Sequence, residues 1–301
     1  MGLPTYNASL WTRGAQSALI EARTKAEPLA PIAKLVRSTG NKESYPWIGE
    51  AHVMRLLKDE LESAGLSDAL YEITNETYAI SLEVERNMLR DDQLGAILMR
   101  VREMSRIALN FGNKLLMEAL VDGTSEAGFD GVSFFNDSHP ARGLQTAVQD
   151  NLLAGTGVTV SAFRTDLNSA LTALHRWKAE NNEPLDSSRS KFVVVAPVDL
   201  SSVINEALTA PLLSSTSNVA FRGVTIDPYF TPRLSDVNDW YLCDVTSEMP
   251  LIYQEERAVT NEYLGEGSDL WVRKERALFK TSWRGAPGYT HPGRAVKMVN
   301  S

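Results

Sequence analysis

The chain has 301 residues and a formal net charge of −8, with 43% hydrophobic and 23% charged residues. This composition is typical of a globular chain of one or two domains, and an aromatic content of 8% argues against disorder. Cys243 is the single cysteine, which excludes an internal disulfide and a CxxC site. The negative charge excludes a basic DNA-binding domain. With no predicted secretory signal or apolar membrane span, we expect a product made in the cytosol.

The first 45 residues contain few long apolar runs and are interrupted by Pro28, Pro31 and Gly40. Within them only short stretches, such as 15–25, have helical character. Two interpretations are open for this part of the chain. It is either an arm laid on another surface or a frayed terminus.

A projecting flap is predicted for residues 46–86. Its first part reads as a turn-forming loop followed by a short helix that ends near Gly65. Its last part alternates apolar and polar residues, which predicts a strand with one apolar face. A shorter strand at 70–73 is predicted to pair with it across a turn at 74–76. Because a two-stranded flap is marginally stable alone, we expect it to lie on a neighbour.

A long amphipathic helix follows the flap. Apolar residues recur at spacings of three and four from Leu94 to Ala119, and Asp91 or Asp92 is suited to cap the first turn. These positions predict one helix from about residue 92 to 120. About 29 residues extend for roughly 43 Å, which is long for a globular helix.

The remainder mixes helices and strands in separate blocks, which predicts the α+β class. Helices are predicted at 161–178 and 200–209. Strands are predicted at 191–197, 219–226, 240–245 and 250–254, with a turn at 227–228 after the second of these strands.

The sequence contains no phosphate-binding loop, dinucleotide fingerprint, nucleophile elbow or HExxH motif. The histidines, which lack metal-ligand spacing, are His52, His139, His175 and His291. Asp137, Ser138 and His139 are the residue types of a catalytic triad, but a turn that caps its own backbone through Asp137 and Ser138 is the better interpretation. We therefore expect no catalytic residue, no cofactor and no metal.

Several segments resemble the Mu-like phage major head subunit family. In chain order they are Tyr45-Pro46-Trp47-Ile48-Gly49-Glu50, Val84-Glu85-Arg86, Arg90-Asp91-Asp92-Gln93-Leu94-Gly95, Phe134-Phe135-Asn136-Asp137-Ser138-His139-Pro140, Trp240-Tyr241-Leu242, Pro250-Leu251-Ile252-Tyr253-Gln254 and Trp283-Arg284-Gly285. The resemblance covers residues 40–300 and implies the Hong Kong 97-type capsid fold. It implies an N-terminal arm at 1–45, an extended loop at 46–86, a peripheral domain at 87–156 with the long helix as its spine, an axial domain at 157–247, and a return through the peripheral domain to a final axial strand at 248–301.

By this resemblance the chain is a major head protein of a tailed bacteriophage or prophage. It is expected to assemble in the host bacterial cytoplasm, as pentamers and hexamers, into an icosahedral shell around double-stranded DNA. Expected partners are copies of itself, portal, scaffold and possible decoration proteins, and no membrane. The expected inter-subunit contacts are Tyr45, Trp47, Ile48, Tyr78, Ile80, Leu82 and Val84.

Two alternatives remain open at this stage. An encapsulin-like nanocompartment has the same fold but would enclose enzymes instead of a genome. A hydrolase that uses Asp137 and His139 belongs to a different class and predicts loss of turnover when His139 is removed.

Overall fold

A computed structural model of the chain describes residues 8–45, 71–91, 95–209, 212–213, 216–217 and 223–300. The helices are α1 (Ala8–Thr24), α2 (Arg86–Asp91), α3 (Gly95–Asp122), α4 (Val160–Arg176), α5 (Ser201–Thr209) and α6 (Asp269–Lys274). The strands are β1 (Ala33–Arg37), β2 (Lys42–Tyr45), β3 (Tyr71–Thr74), β4 (Glu76–Glu85), β5 (Leu152–Ala154), β6 (Lys191–Pro197), β7 (Leu212–Leu213), β8 (Thr216–Ser217), β9 (Thr225–Thr231), β10 (Trp240–Asp244), β11 (Leu251–Leu264), β12 (Arg276–Tyr289) and β13 (Ala295–Val299). This mixture confirms the predicted α+β class.

The first sheet has the strand order β1-β11-β12-β4, with β1 parallel to β11 and the other pairs antiparallel. Its centre is a long hairpin of β11 and β12, each of 14 residues, and α6 lies in the connection between them. Helix α3 has 28 residues, about 42 Å at 1.5 Å per residue, and lies across this sheet. Its buried stripe includes Ile97, Val101, Met104 and Leu116, spaced by three to four residues or multiples.

The second sheet has the order β5-β13-β10-β6-β9. Six of the seven residues of β6 are buried, as expected for a central strand with both faces covered. Helices α4 and α5 cover one face through Phe163, Leu167 and Ile204, while Phe134 and Phe135 pack with residues of the other face. The last strand, β13, lies between β5 and β10, so the C-terminal residues complete this sheet.

The predicted hairpin of 70–73 with 78–84 is wrong. Strand β3 pairs with β2, while β4 pairs with β12 over all ten of its residues. Asn75 separates the two strands, and its Nδ2 donates to the carbonyl oxygen of Gly40 at 2.7 Å. The chain therefore passes at 74–76 from the β2–β3 pair to the first sheet. Ile73 of β3 packs against Ile252 and Ala286 in a separate core cluster.

Residues 8–45 pack against other elements of the same subunit. Helix α1 packs on α3, with Trp11, Ala15 and Ala18 buried, and the Trp11 ring meets the edge of Phe279 at a centroid distance of 5.8 Å. Strand β1 then extends the first sheet next to β11. Most of the apolar surface of this segment is thus covered within the subunit. The exposed face of α1 remains available for the expected contact of the arm with a neighbour.

The turn predicted at 227–228 is also wrong. Asp227 and Pro228 lie inside β9, which pairs in parallel with β6 and places Pro228 opposite Val194. Proline is tolerated there because β9 is an edge strand, where a missing N–H donor costs no ladder bond on the solvent side. The predicted helices at 92–120, 161–178 and 200–209 and the strands at 191–197 and 240–245 are confirmed to within about three residues at their ends. The strand predicted at 250–254 extends ten residues further, to Leu264, the one predicted at 219–226 ends at Thr231, and the helical stretch predicted at 15–25 begins at Ala8. The predictions at 46–65 and 219–222 lie outside the described residues.

Gly112 allows α3 to approach β11. A Cβ atom at Gly112 would lie 2.6 Å from the Tyr253 hydroxyl and 2.8 Å from its ring, which stacks on Trp283 at 5.3 Å. We expect Gly112→Ala to lower the free energy of unfolding by about 1–3 kcal/mol in denaturant titrations of unassembled subunits, because the ring must move.

Gly95→Ala is the matched control, because no atom lies within 4 Å of the position its Cβ would take. Its free energy of unfolding should be unchanged or raised by up to about 1 kcal/mol. Equal effects of the two substitutions would contradict the close approach.

Candidate subunit interface

Strand β4 forms one edge of the first sheet. All ten of its residues pair with β12, from Glu76 opposite Gly285 to Glu85 opposite Arg276. Among the strands that the structure describes, none pairs with the other edge of β4. A long unpaired edge exposes backbone N–H and C=O groups that another strand can bind.

The apolar face of β4 points toward α3, as the alternation predicted. The Tyr78 ring lies 4.9 Å from the Phe111 ring and 5.7 Å from the Trp283 ring. Val84 is buried, whereas Tyr78, Ile80 and Leu82 are half-buried. The opposite face is polar, and Glu83 pairs there with Arg276 at 3.1 Å. Three of the predicted contact residues thus retain side-chain surface that their own subunit does not cover.

Two apolar cavities flank the exposed part of this face. The first has a volume of about 190 Å³ and is lined by Tyr78, Ala79, Ile80, Ile107, Ala108, Phe111, Thr281 and Trp283. The second has a volume of about 610 Å³ and is lined by Leu82, Glu83, Val84, Asn87, Met88, Ala96, Ile97 and Arg100. Met88 and Ile107 are 58% and 46% exposed. Edge and cavities together form a groove between β4 and α3, here called the β4 groove, that is open to a partner.

Tyr45, another predicted contact residue, is buried in its own subunit. Its hydroxyl donates a hydrogen bond to Gln254 Oε1 at 2.6 Å, and Gln254 Nε2 in turn donates to Asn75 Oδ1 at 2.7 Å. Burial, with a smaller effect of Glu43, raises the pKa of Tyr45 to about 12, so its hydroxyl stays protonated. Little of Tyr45 is left for a neighbour, and Trp47 and Ile48 lie outside the described residues.

His139 has a structural environment. Its Nδ1 lies 2.6 Å from Asp130 Oδ2 and its Nε2 lies 3.0 Å from Asn151 Oδ1, with the side chain 3% exposed. Asp137 is exposed and is not among the hydrogen-bond partners of the ring. The turn is capped by Asn136, whose Oδ1 accepts from Ser138 N at 2.8 Å, and not by Asp137 or Ser138 as predicted. Both ring nitrogens of His139 are therefore engaged away from solvent.

A second buried polar cluster balances its own charge. Arg294 Nη1 lies 2.7 Å from Asp244 Oδ2 and 3.0 Å from Asp186 Oδ2, and Arg189 Nε lies 3.3 Å from Asp244 Oδ2. Burial lowers the pKa of Arg189 to about 10. Burial, together with the nearby guanidinium of Arg294, lowers the pKa of His291 to about 3, so this imidazole is neutral.

Within the described part of the chain, no group of three or more His, Cys, Asp or Glu side chains is placed to hold a metal ion. The helices described there also include none with the length and hydropathy needed to cross a bilayer.

Residues 10–171 match the family model described as "Mu-like prophage major head subunit gpT". This match covers more than half of the chain and includes nearly all of α1, then β4, α3, the loop of His139 and the first twelve residues of α4. The chain belongs to the Mu-like prophage major head subunit family. The members of this family are structural head proteins and not enzymes, so the hydrolase alternative is not supported.

Two curated proteins are similar in sequence to this head subunit. The "Mu-like prophage FluMu major head subunit" of Haemophilus influenzae is 28% identical over 159 residues, which are 53% of this chain and 47% of that protein. The "Major capsid protein" of Escherichia phage Mu is 26% identical over 130 residues, 43% of this chain and 42% of that protein. The matched part of the chain thus spans less than half the length of these relatives.

Solved capsid structures share the fold. The procapsid of bacteriophage JBD30 covers 97% of this chain and 75% of its own at 18% identity, with a TM-score of 0.58. A virus-like particle from Pyrococcus furiosus covers 96% of this chain and 99% of its own at 15% identity, with a TM-score of 0.57. These similarities establish the Hong Kong 97-type fold for the head subunit. They extend beyond residue 171 to β10–β13, which the family match does not reach.

Removal of the His139 side chain tests its structural role. His139→Ala leaves the Asp130 carboxyl buried without this partner, so we expect the free energy of unfolding to fall by about 3 kcal/mol or more. The exposed His175→Ala is the control and should change it by less than about 0.5 kcal/mol. A His139→Ala subunit as stable as the wild type in denaturant titrations would contradict this role.

Proposed function

We propose that this head subunit assembles with copies of itself, as pentamers and hexamers, into an icosahedral shell that encloses double-stranded DNA. The observation that carries the proposal is the β4 groove: a ten-residue edge that pairs with no other described strand, beside two apolar cavities, in a chain of the major head subunit family. An isolated subunit leaves this surface in water. Assembly would remove it from water, and permanent interfaces of this kind bury roughly 2,000 Å² or more.

The two sheets support the proposed division into domains. The first sheet with α3 would form the peripheral domain, and the second sheet with α4 and α5 would form the axial domain expected at 157–247. The second sheet also includes β5 at 152–154, which was expected in the peripheral domain. The final strand β13 joins the second sheet, in agreement with an axial return. The extended loop at 46–86 would then contribute β3 and β4 to its own subunit and the part before β3 to a neighbour. Portal, scaffold and decoration proteins, and assembly in the host cytoplasm, belong to the same proposal.

The encapsulin-like alternative would have the same fold, and the solved structures at 18% and 15% identity show the fold alone, so they do not decide between the two functions. The sequence relatives favour the phage head, because both are named as phage or prophage head proteins.

Replacing residues 46–70 of the extended loop tests the role of this part while β3 and β4 stay in the subunit. Tyr45 of β2 lies directly opposite Tyr71 of β3 in an antiparallel pair, so residues 46–70 can be replaced by Asn-Gly, which closes such a pair as a two-residue hairpin. Deleting 48–85 instead would remove β4 from the sheet. We expect the Asn-Gly variant to keep the circular dichroism spectrum and melting temperature of the subunit but to form no closed shells.

The readout is negative-stain electron microscopy of the purified protein beside the wild type. Closed shells from the Asn-Gly variant would remove the proposed contact of the loop with a neighbour.

A charge in the β4 groove tests that surface. Ile80→Asp places a carboxylate among Tyr78, Phe111 and Trp283, and covering it by a neighbour would cost several kcal/mol. We therefore expect folded subunits that stay unassembled in size-exclusion chromatography. Ser81→Asp introduces the same charge on the exposed face of the same strand, and we expect it to assemble. Assembly of the Ile80→Asp protein to the wild-type level would exclude the β4 groove from the interface.

A further inference from the structure

Helix α4 presents a solvent face without carboxylates. Its exposed residues are Ser161, Thr165, Asn168, Ser169, Thr172, His175 and Arg176, and Arg164 lies half-buried beside them. The carboxylate of α4, Asp166, is buried on the other side, where it accepts hydrogen bonds from Thr156 N and Oγ1 at 2.9 and 2.8 Å. Every charged group on this face is therefore a cation or a titratable imidazole, in a chain whose net charge is −8.

Most cations on the first sheet and its helices have carboxylate partners. These ion pairs are Arg102–Glu21, Arg106–Glu103, Lys114–Glu118, Arg276–Glu83, Lys280–Glu262 and Arg284–Glu256, all at 3.4 Å or less. In the part of the chain that the structure describes, neither Arg164 nor Arg176 has a carboxylate oxygen within 4.0 Å. Glu206 on the adjacent helix α5 is exposed but pairs with neither arginine. Carboxylates of the described residues therefore do not neutralise the face of α4.

Local helix electrostatics accounts for only part of this pattern. Arg176 lies in the last turn of α4, where the helix dipole favours cations. Arg164 lies near the first turn, where the dipole favours anions, and that turn holds no acidic residue. The hydroxyls of Thr165 and Thr172 donate to backbone carbonyls four residues earlier, so these donors are already used within the helix. The electrostatic field of this face therefore comes from its cations.

On the basis of the proposed function, we propose that the face of α4 lies on the inner surface of the shell and contacts the phosphates of packaged double-stranded DNA through Arg164 and Arg176. Twelve residues separate these side chains, which is about 18 Å along the helix and about 120° around it, so the two arginines lie at opposite margins of the exposed face. The distance along the helix is the rise of about five base pairs. Arginine contacts to phosphate are independent of base sequence, as packaging requires. The acidic remainder of the chain keeps the total affinity low.

Electron cryomicroscopy of shells formed by the wild-type protein gives the first test. We expect α4 on the inner surface. Shells with α4 on the outer surface would overturn the inference and leave the proposed function intact, whereas an absence of shells would reject the proposed function itself.

Salt dependence gives the second test, because the slope of log K against log salt concentration counts neutralised phosphates at about 0.9 each. Unassembled subunits are titrated with a short fluorescent DNA duplex at several potassium chloride concentrations. We expect the double variant Arg164→Gln and Arg176→Gln to lower the steepness of the slope by about 1.8 per bound subunit, which is two phosphate contacts.

Arg273→Gln with Lys274→Gln is the matched control, because it removes the same charge from α6, where Arg273 is 76% exposed and pairs with Asp269. Its slope should equal that of the wild type. An unchanged slope in the α4 variant, or no wild-type binding to the duplex, would overturn the inference. So would tighter binding of a poly-glutamate probe than of DNA, which would assign this face to an acidic protein.

Discussion

The packing of α3 across the β11–β12 hairpin is the contact on which the rest of the structure depends. Strand β12 is bonded on both sides, to β11 and to β4, and it buries Ala277, Phe279 and Trp283. Gly112 lets the helix approach the Tyr253 ring within van der Waals contact. Because α1 packs on α3 and β4 pairs with β12, loss of this contact would remove the support of both.

This arrangement explains how a subunit is stable and still incomplete. Its cores are closed by its own residues: Val84, Tyr45 and Trp11 are each no more than 5% exposed. Among the described residues, the surface that stays open includes the ten-residue edge of β4 and the half-buried side chains beside it. A shell protein needs both properties, because the subunit must fold before it assembles and must then gain free energy from burying the remaining apolar surface.

The charged side chains also differ between the first sheet with its helices and helix α4. On the first sheet and its helices, most cations are matched with carboxylates of the same chain, which weakens the attraction of that surface for a polyanion. On α4 the cations are unmatched. A protein with a net charge of −8 can therefore have one face suited to phosphate while its overall charge prevents tight binding.

The sequence by itself determined the class, the long helix, the buried strand at 191–197 and the alternating face of β4, because hydrophobic periodicity depends on local geometry alone. The quoted motifs and their order also led to the family. Only the tertiary structure decided the partner of each strand. Period-two alternation tells which side chains share a face, but not whether β4 pairs with β3, from which one residue separates it, or with β12, about two hundred residues away. The same limit applies to His139, since nothing in the sequence indicates that its ring bonds to Asp130 and Asn151 instead of Asp137.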